Sequence, residues 1–128
     1  MNVYDRLEEL GIKLLDPTPK GGIYSLVRPY GDHLLYVSGT APHNAVDSNM
    51  AGKLGSEYTI EEGQEAARRC MINIISNLHH ELGDLNRIRQ FVKLLGFVAS
   101  APDFYEHPQV INGASQLLKD VFGDEIGL

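Results

Sequence analysis

The 128-residue sequence holds a single cysteine, Cys70. No internal disulfide can form, and a reducing compartment, the cytoplasm by default, is the expected location. Basic residues are scarce beside acidic ones: 11 Lys and Arg against 17 Asp and Glu, a formal net charge of −6. A surface that tracks phosphates carries the opposite sign, so nucleic acid is disfavoured as a partner. No run of 18 apolar residues exists, which speaks against a membrane-spanning helix. The opening Met1-Asn2-Val3-Tyr4-Asp5-Arg6 lacks the apolar stretch of a secretory signal. The metal-chelating spacings HxxxH, HxH and CxxC are missing, as are GxGxxG and Walker loops, internal repeats and low-complexity tracts. What remains is an ordinary globular composition, 43% hydrophobic and 22% charged, of a length suited to one domain over residues 1–128.

Several elements are legible along the chain. Residues 2–10 read as a short amphipathic helix, with Asn2 as cap, Val3, Leu7 and Leu10 on one face and Gly11 as stop. A connector rich in proline and glycine, residues 16–22, leads to two β-type runs, Ile23 to Arg28 and Leu34 to Ser38. The intervening Pro29-Tyr30-Gly31-Asp32 predicts a hairpin. Residues 40–56 are polar and contain glycine, a long loop. Thr59-Ile60-Glu61-Glu62 is a capping box. Behind it Ala66, Ala67, Cys70, Met71, Ile74, Ile75, Leu78 and Leu82 repeat at helical spacing up to Gly83. That helix is about 34 Å long at 1.5 Å per residue. Ile88 to Ser100 reads as a strand too apolar to face water on both sides. A last helix follows, with Pro108 in its first turn, Val110, Ile111, Ala114, Leu117, Leu118, Val121 and Phe122 as its buried face, and Gly123 at its end. The order α-β-β-α-β-α predicts an α/β sandwich, with helices on one face of a sheet that only three strands supply, leaving both edges open.

Candidate chemistry is sparse. Ser38 ends a strand in Tyr36-Val37-Ser38-Gly39-Thr40. A nucleophile elbow requires glycine where Tyr36 stands, so the choice lies between a turn-serving serine and a ligand-contacting strand end. Adjacent His79 and His80 point about 100° apart on a helix and cannot chelate as an i,i+4 pair; solvent exposure near the helix C-terminus is expected. The remaining histidines, His33, His43 and His107, form no ligand pattern. Cys70, on the apolar helix face, reads as a buried, inert thiol. Asn112 precedes Gly113, two poor helix formers together near the start of the last helix. It is either a partly exposed polar residue or an amide facing a ligand pocket.

Taken together, these segments resemble the RidA/YjgF family, also called endoribonuclease L-PSP-like. The resemblance runs from about Leu14 to Phe122. It rests on Gly22-Ile23-Tyr24, on Leu35 through Pro42, on the helix entry and stripe from Gly52 to Leu82, and on Val92 to Ser100. Asp103-Phe104 and Val110-Ile111-Asn112-Gly113-Ala114 complete it. The helix at residues 2–10 resembles that of a longer-chain subgroup. The resemblance implies a chorismate-mutase-like α/β sandwich with helices on one face of a mixed sheet, and a homotrimer with pockets between subunits. It also implies hydrolysis of enamines and imines such as 2-iminobutanoate to 2-keto acids and ammonia, with no metal or organic cofactor. Partners are then a small imino or keto acid and further copies of the chain, with neither membrane nor nucleic acid. Tyr24, Ser38, Gly39 and Asn112 match pocket positions of the family, and Thr40 stands where many members carry glutamine. Relatives continue into an Ala-Arg-Ser segment whose arginine holds the substrate carboxylate, and into further strands. The sequence to Leu128 reads as either a shortened version or an incomplete portion of such a protein. No other arginine is an obvious substitute, because Arg28, Arg68, Arg69, Arg87 and Arg89 lie in other elements. The alternatives are a non-catalytic trimer that binds small carboxylates, and an endoribonuclease.

Overall fold

The computed structural model describes residues 2–42 and 51–128. Helix α1, Val3–Glu9, begins where the Asn2 side chain accepts the amides of Tyr4 and Asp5, and ends ahead of Gly11, whose φ is 68°. A Cβ at that angle would crowd the backbone, so glycine suits the stop. Strands β1, Val27–Tyr30, and β2, Leu34–Val37, pair antiparallel with Val27 opposite Val37 and Tyr30 opposite Leu34. The hairpin therefore forms where expected. Pro29 and Tyr30 belong to its first strand, however, and Gly31, at φ 66°, turns the chain.

Helix α2, Ile60–Leu82, carries the predicted capping box with both reciprocal bonds, Glu62 N–H to Thr59 Oγ1 and Thr59 N–H to Glu62 Oε1. Such a cap is worth about 1 kcal/mol. Gly83, in the left-handed region, closes the helix. After one 3₁₀ turn, Leu85–Arg87, the chain runs without regular structure to helix α3, His107–Gly127. Pro108 sits in its first turn as expected. The helical run stops at Gly123 as expected, where φ is 80° and ψ 173°, and a second short helical stretch carries the residues after it.

The core lies between α2 and α3, where Met71, Ile75 and Leu78 meet Ala114, Leu117, Leu118, Val121 and Phe122. Val3 and Leu7 of α1 and Val27 of β1 join it. Leu54, Phe104 and Val110 make a second, smaller cluster. One close approach sets the helix pairing, a Cβ on Gly113 clashing with the Gln64 carbonyl; a Cβ on Gly127 would meet the Leu118 carbonyl within α3 itself, where the chain turns back after Gly123. No helix among the described residues is long and apolar enough to cross a membrane.

The expected third strand, Ile88 to Ser100, is not one. Its backbone ties to other elements are few: Phe91 N–H donates to Ile126 O, Ala99 O accepts from Leu54 N–H, and Ser100 forms an isolated parallel bridge with Leu54. Val92 is 80% and Phe97 89% exposed, so the segment does face water. Apolar side chains signal a tendency to be buried, but a strand also needs a neighbour's backbone to satisfy its N–H and C=O groups. Among the described residues β1 and β2 pair only with each other, and the sheet is a two-stranded antiparallel hairpin.

Candidate functional site

The candidate residues from the hairpin end stay close to α2. Ser38 Oγ donates to Ser25 O at 2.6 Å, and Ser38 N–H donates to Leu26 O. That serves the turn reading of Ser38: the hydroxyl ties the residue after β2 to Ser25, two residues before β1. Tyr24 is 40% exposed, and its hydroxyl accepts the Gly21 amide at 3.0 Å. Gly39 has open space around its Cα. Thr40 is held on α2: its Oγ1 accepts from Asn73 Nδ2 at 3.2 Å, and its carbonyl accepts the Cys70 thiol at 3.6 Å. Asn73 Nδ2 also donates to Ala41 O at 3.1 Å.

Asn112 lies elsewhere. It lines an open groove of about 410 Å³ between α2 and α3, with Glu61, Gln64, Glu65, Arg68, Gly113 and Gln116. The groove exists because α3 approaches α2 so closely at Gly113 that only a residue without a side chain fits over the Gln64 backbone. Gln64 Nε2 donates to Gln109 O at 2.8 Å and fixes one wall. Glu65 pairs with Arg69 at 3.5 Å. At 100° per residue, the groove residues of α2 centre roughly 160° from Cys70 and Asn73, which hold Thr40. The predicted residues therefore fall into two groups on opposite sides of one helix, and a single chain does not bring Tyr24, Ser38, Gly39 and Thr40 to Asn112.

Other sequence-derived candidates resolve differently. His79 is half-buried rather than solvated: its Nδ1 meets the Tyr4 hydroxyl at 2.8 Å, and the same hydroxyl accepts the Leu85 amide at 2.9 Å. The helix end is covered there because α1 docks on it, which the periodicity of α2 alone does not reveal. His80 is exposed, with its Nε2 at 3.1 Å from Leu15 O. His33 is exposed in the hairpin turn, and His43 lies outside the described residues. The Cys70 thiol is pushed up by burial from 9.0 to about 11, in line with an inert role. Among the described residues no three His, Cys, Asp or Glu side chains gather as a metal site.

Three buried polar residues of α2 escape sequence reasoning. Asn73, Ser76 and Asn77 are only 2%, 0% and 3% exposed. Ser76 Oγ accepts Leu15 N–H at 2.9 Å, while Asn77 accepts Thr18 N–H at 3.0 Å and donates to Thr18 Oγ1 at 3.1 Å. Ser76 and Asn77 strap the chain from Leu15 to Thr18 across the helix, Asn73 holds the segment after β2, and among the described residues every one is satisfied. Three polar residues at positions 73, 76 and 77, interrupting an apolar stripe, are the one signal in the sequence. A further contact, Ser100 Oγ to His107 Nε2 at 2.9 Å, ties the turn before α3 to that helix's first residue.

Comparison with known proteins converges on one description. The family model "YjgF/chorismate_mutase-like, putative endoribonuclease" matches residues 5–127. The protein TCP17 of Trypanosoma cruzi is 44% identical over 122 residues, which are 94% of this chain and 75% of that protein. Among solved structures, a "putative endoribonuclease" from Shewanella oneidensis MR-1 superimposes with a TM-score of 0.91 at 32% identity, covering 98% of this chain and 82% of that one. A protein of unknown function from Agrobacterium tumefaciens gives 0.83 at 39% identity, over 96% and 74% of the respective chains. The α/β arrangement is thus the one shared by these relatives.

Proposed function

The chain belongs to the YjgF/chorismate-mutase-like family, and on that premise we propose that it hydrolyses small 2-imino acids to 2-keto acids and ammonia. The observation that carries this reading is the groove at Asn112. It has the volume for a small metabolite, about 410 Å³, and amide and charged side chains among its lining residues. In the reaction, water adds to the imine carbon, the resulting carbinolamine loses ammonia, and a carbonyl remains. Asn112, exposed at the rim, has both a donor and an acceptor with which to hold the substrate as charge moves onto nitrogen.

The split between Asn112 and the Tyr24–Ser38–Thr40 group favours sites shared between copies, as in a homotrimer. One protomer would offer its groove and the next its hairpin end. Exposed Tyr30, Leu34 and Tyr36 on the hairpin supply apolar surface for such a contact. The test is a coupled keto-acid assay on freshly generated 2-iminobutanoate, run beside sedimentation. Acceleration over the uncatalysed rate by an assembled species supports the proposal, and no acceleration by an assembled, folded sample removes it. Binding of 2-ketobutyrate without turnover would leave a small-carboxylate binder.

The descriptions of the family and of the Shewanella protein favour a second reading, endoribonuclease. The net charge of −6 counts against it. RNA cleavage that persists through purification and disappears in Asn112→Ala would establish it.

A further inference from the structure

Away from the groove, one pair of side chains combines a nucleophile with a base. Ser100 Oγ lies 2.9 Å from His107 Nε2, and neither side chain has another hydrogen-bonding partner among the described residues. Both are half-buried, so a small molecule can reach them. A serine hydroxyl attacks poorly until a base takes its proton, and histidine within hydrogen-bond reach is the usual base.

The fold supplies more than the bond itself. His107 opens α3, and its ring meets the Phe104 ring at a centroid distance of 5.2 Å with the planes 78° apart. Phe104 is buried with Leu54 and Val110, so this edge-to-face contact steadies the imidazole, a task that a carboxylate performs in a catalytic triad. On the serine side, Leu54 N–H donates to Ala99 O and Ala101 N–H donates to Leu54 O, the two bonds of the parallel bridge between Leu54 and Ser100. The Ser100 N–H is therefore turned away from Leu54 and has no partner among the described residues. A nucleophile's own amide is a donor that the negative oxygen of a tetrahedral adduct can use. Phe104 also walls a cavity of about 380 Å³ with Tyr58, Thr59 and Ile60, room for the short acyl or alcohol part of a substrate.

We infer that Ser100 and His107 form a nucleophile–base pair that hydrolyses small carboxylic esters. Ser100 Oγ bonds to the acyl carbon while its proton passes to His107 Nε2. The bond from that carbon to the alcohol oxygen breaks, and the alcohol leaves with the proton. Water then gives its proton to Nε2 and its hydroxyl to the acyl carbon; the acid departs, and the proton returns to Ser100 Oγ. This reaction is separate from imine hydrolysis and does not rest on the Asn112 groove.

The test is reaction of the full chain with p-nitrophenyl acetate, followed by nitrophenolate release and by intact and peptide mass. A burst of about one nitrophenolate per chain is expected, with the acetyl group on Ser100. His107→Gln keeps an amide able to bond the Ser100 hydroxyl but cannot carry its proton. Acylation should then fall about 100-fold while the thermal midpoint stays close to the parent's. A contact that only ties the turn to the helix would leave the acylation rate where it was. Ser100→Ala should abolish the burst. Should that variant fail to fold, a fluorophosphonate decides, labelling Ser100 in the parent and not in His107→Gln. Acetyl found only on lysine or tyrosine, a burst that survives Ser100→Ala, or His107→Gln acetylated at Ser100 as fast as the parent would each overturn the inference.

Discussion

Helix α2 carries polar residues on two different faces, and they behave differently. On one side Asn73, Ser76 and Asn77 are buried, and each hydrogen-bonds the connector or the segment after β2. On the other, Glu61 and Arg68 face the groove beside Asn112, with no bonding partner among the described residues. The difference teaches how to tell a structural polar group from a functional one: the first is satisfied within the fold, the second is held in place and left for something else. Burial alone would select the wrong trio.

That comparison can be broken or sharpened by substitution. The largest effect is expected from Asn112→Ala, a loss of about 100-fold in kcat/KM for 2-iminobutanoate hydrolysis. Its thermal midpoint should stay close to the parent's, since an exposed substitution usually changes stability by no more than about 0.5 kcal/mol. A large drop in stability with unchanged kinetics would place Asn112 with the structural group instead. Asn77→Ala should do the opposite. It leaves the half-buried Thr18 amide without its acceptor, a cost of about 1 kcal/mol readable by urea denaturation, with kcat/KM unchanged at temperatures where the variant is folded.

Gly113→Ala tests the floor between the two helices. A Cβ there meets the Gln64 carbonyl, and backbone cannot step aside cheaply, so a loss of about 1–3 kcal/mol is expected together with weaker ligand binding. Tyr4→Phe removes the hydroxyl that joins His79 to the Leu85 amide and should cost about 1 kcal/mol in the same denaturation experiment.

The smallest effect concerns Cys70. Its pKa rises from 9.0 to about 11 because burial disfavours the thiolate. The folded state therefore holds this proton more tightly than the unfolded chain does. The sign follows: the thiol's contribution to stability is intact below pH 9 and is lost as pH climbs towards 11. Iodoacetamide should accordingly label the native protein slowly at pH 8 and the urea-unfolded protein much faster; equal rates would show that burial does not protect the thiol.

The helices were legible in the sequence because their signals are local. Thr59 and Glu62, the stripe from Ala66 to Leu82 and Pro108 in a first turn each act within a few residues, and the structure realises all of them. The hairpin was legible for the same reason, with its boundary moved because Pro29 can occupy a strand of an open two-stranded ribbon. Ile88 to Ser100 was misread because strand formation is decided by a partner distant in sequence, and apolar content is silent about who that partner is. At the site, Asn112 stood out as an amide beside a glycine. Arg68 did not, since an arginine on an amphipathic helix looks like any solvated charge until the neighbouring helix is in place.

Composition and short-range pattern thus determined the elements, their caps, the inert cysteine and the family to which the chain belongs, all of which depend on residues within a few turns of one another. The tertiary structure decided which polar residues are consumed by the fold, which segment goes unpaired, and that Arg68 and Asn112 share one groove on the far side of α2 from Ser38. Those outcomes depend on how closely two helices approach at Gly113, and packing of that kind is a property of surfaces brought together from separate parts of the chain.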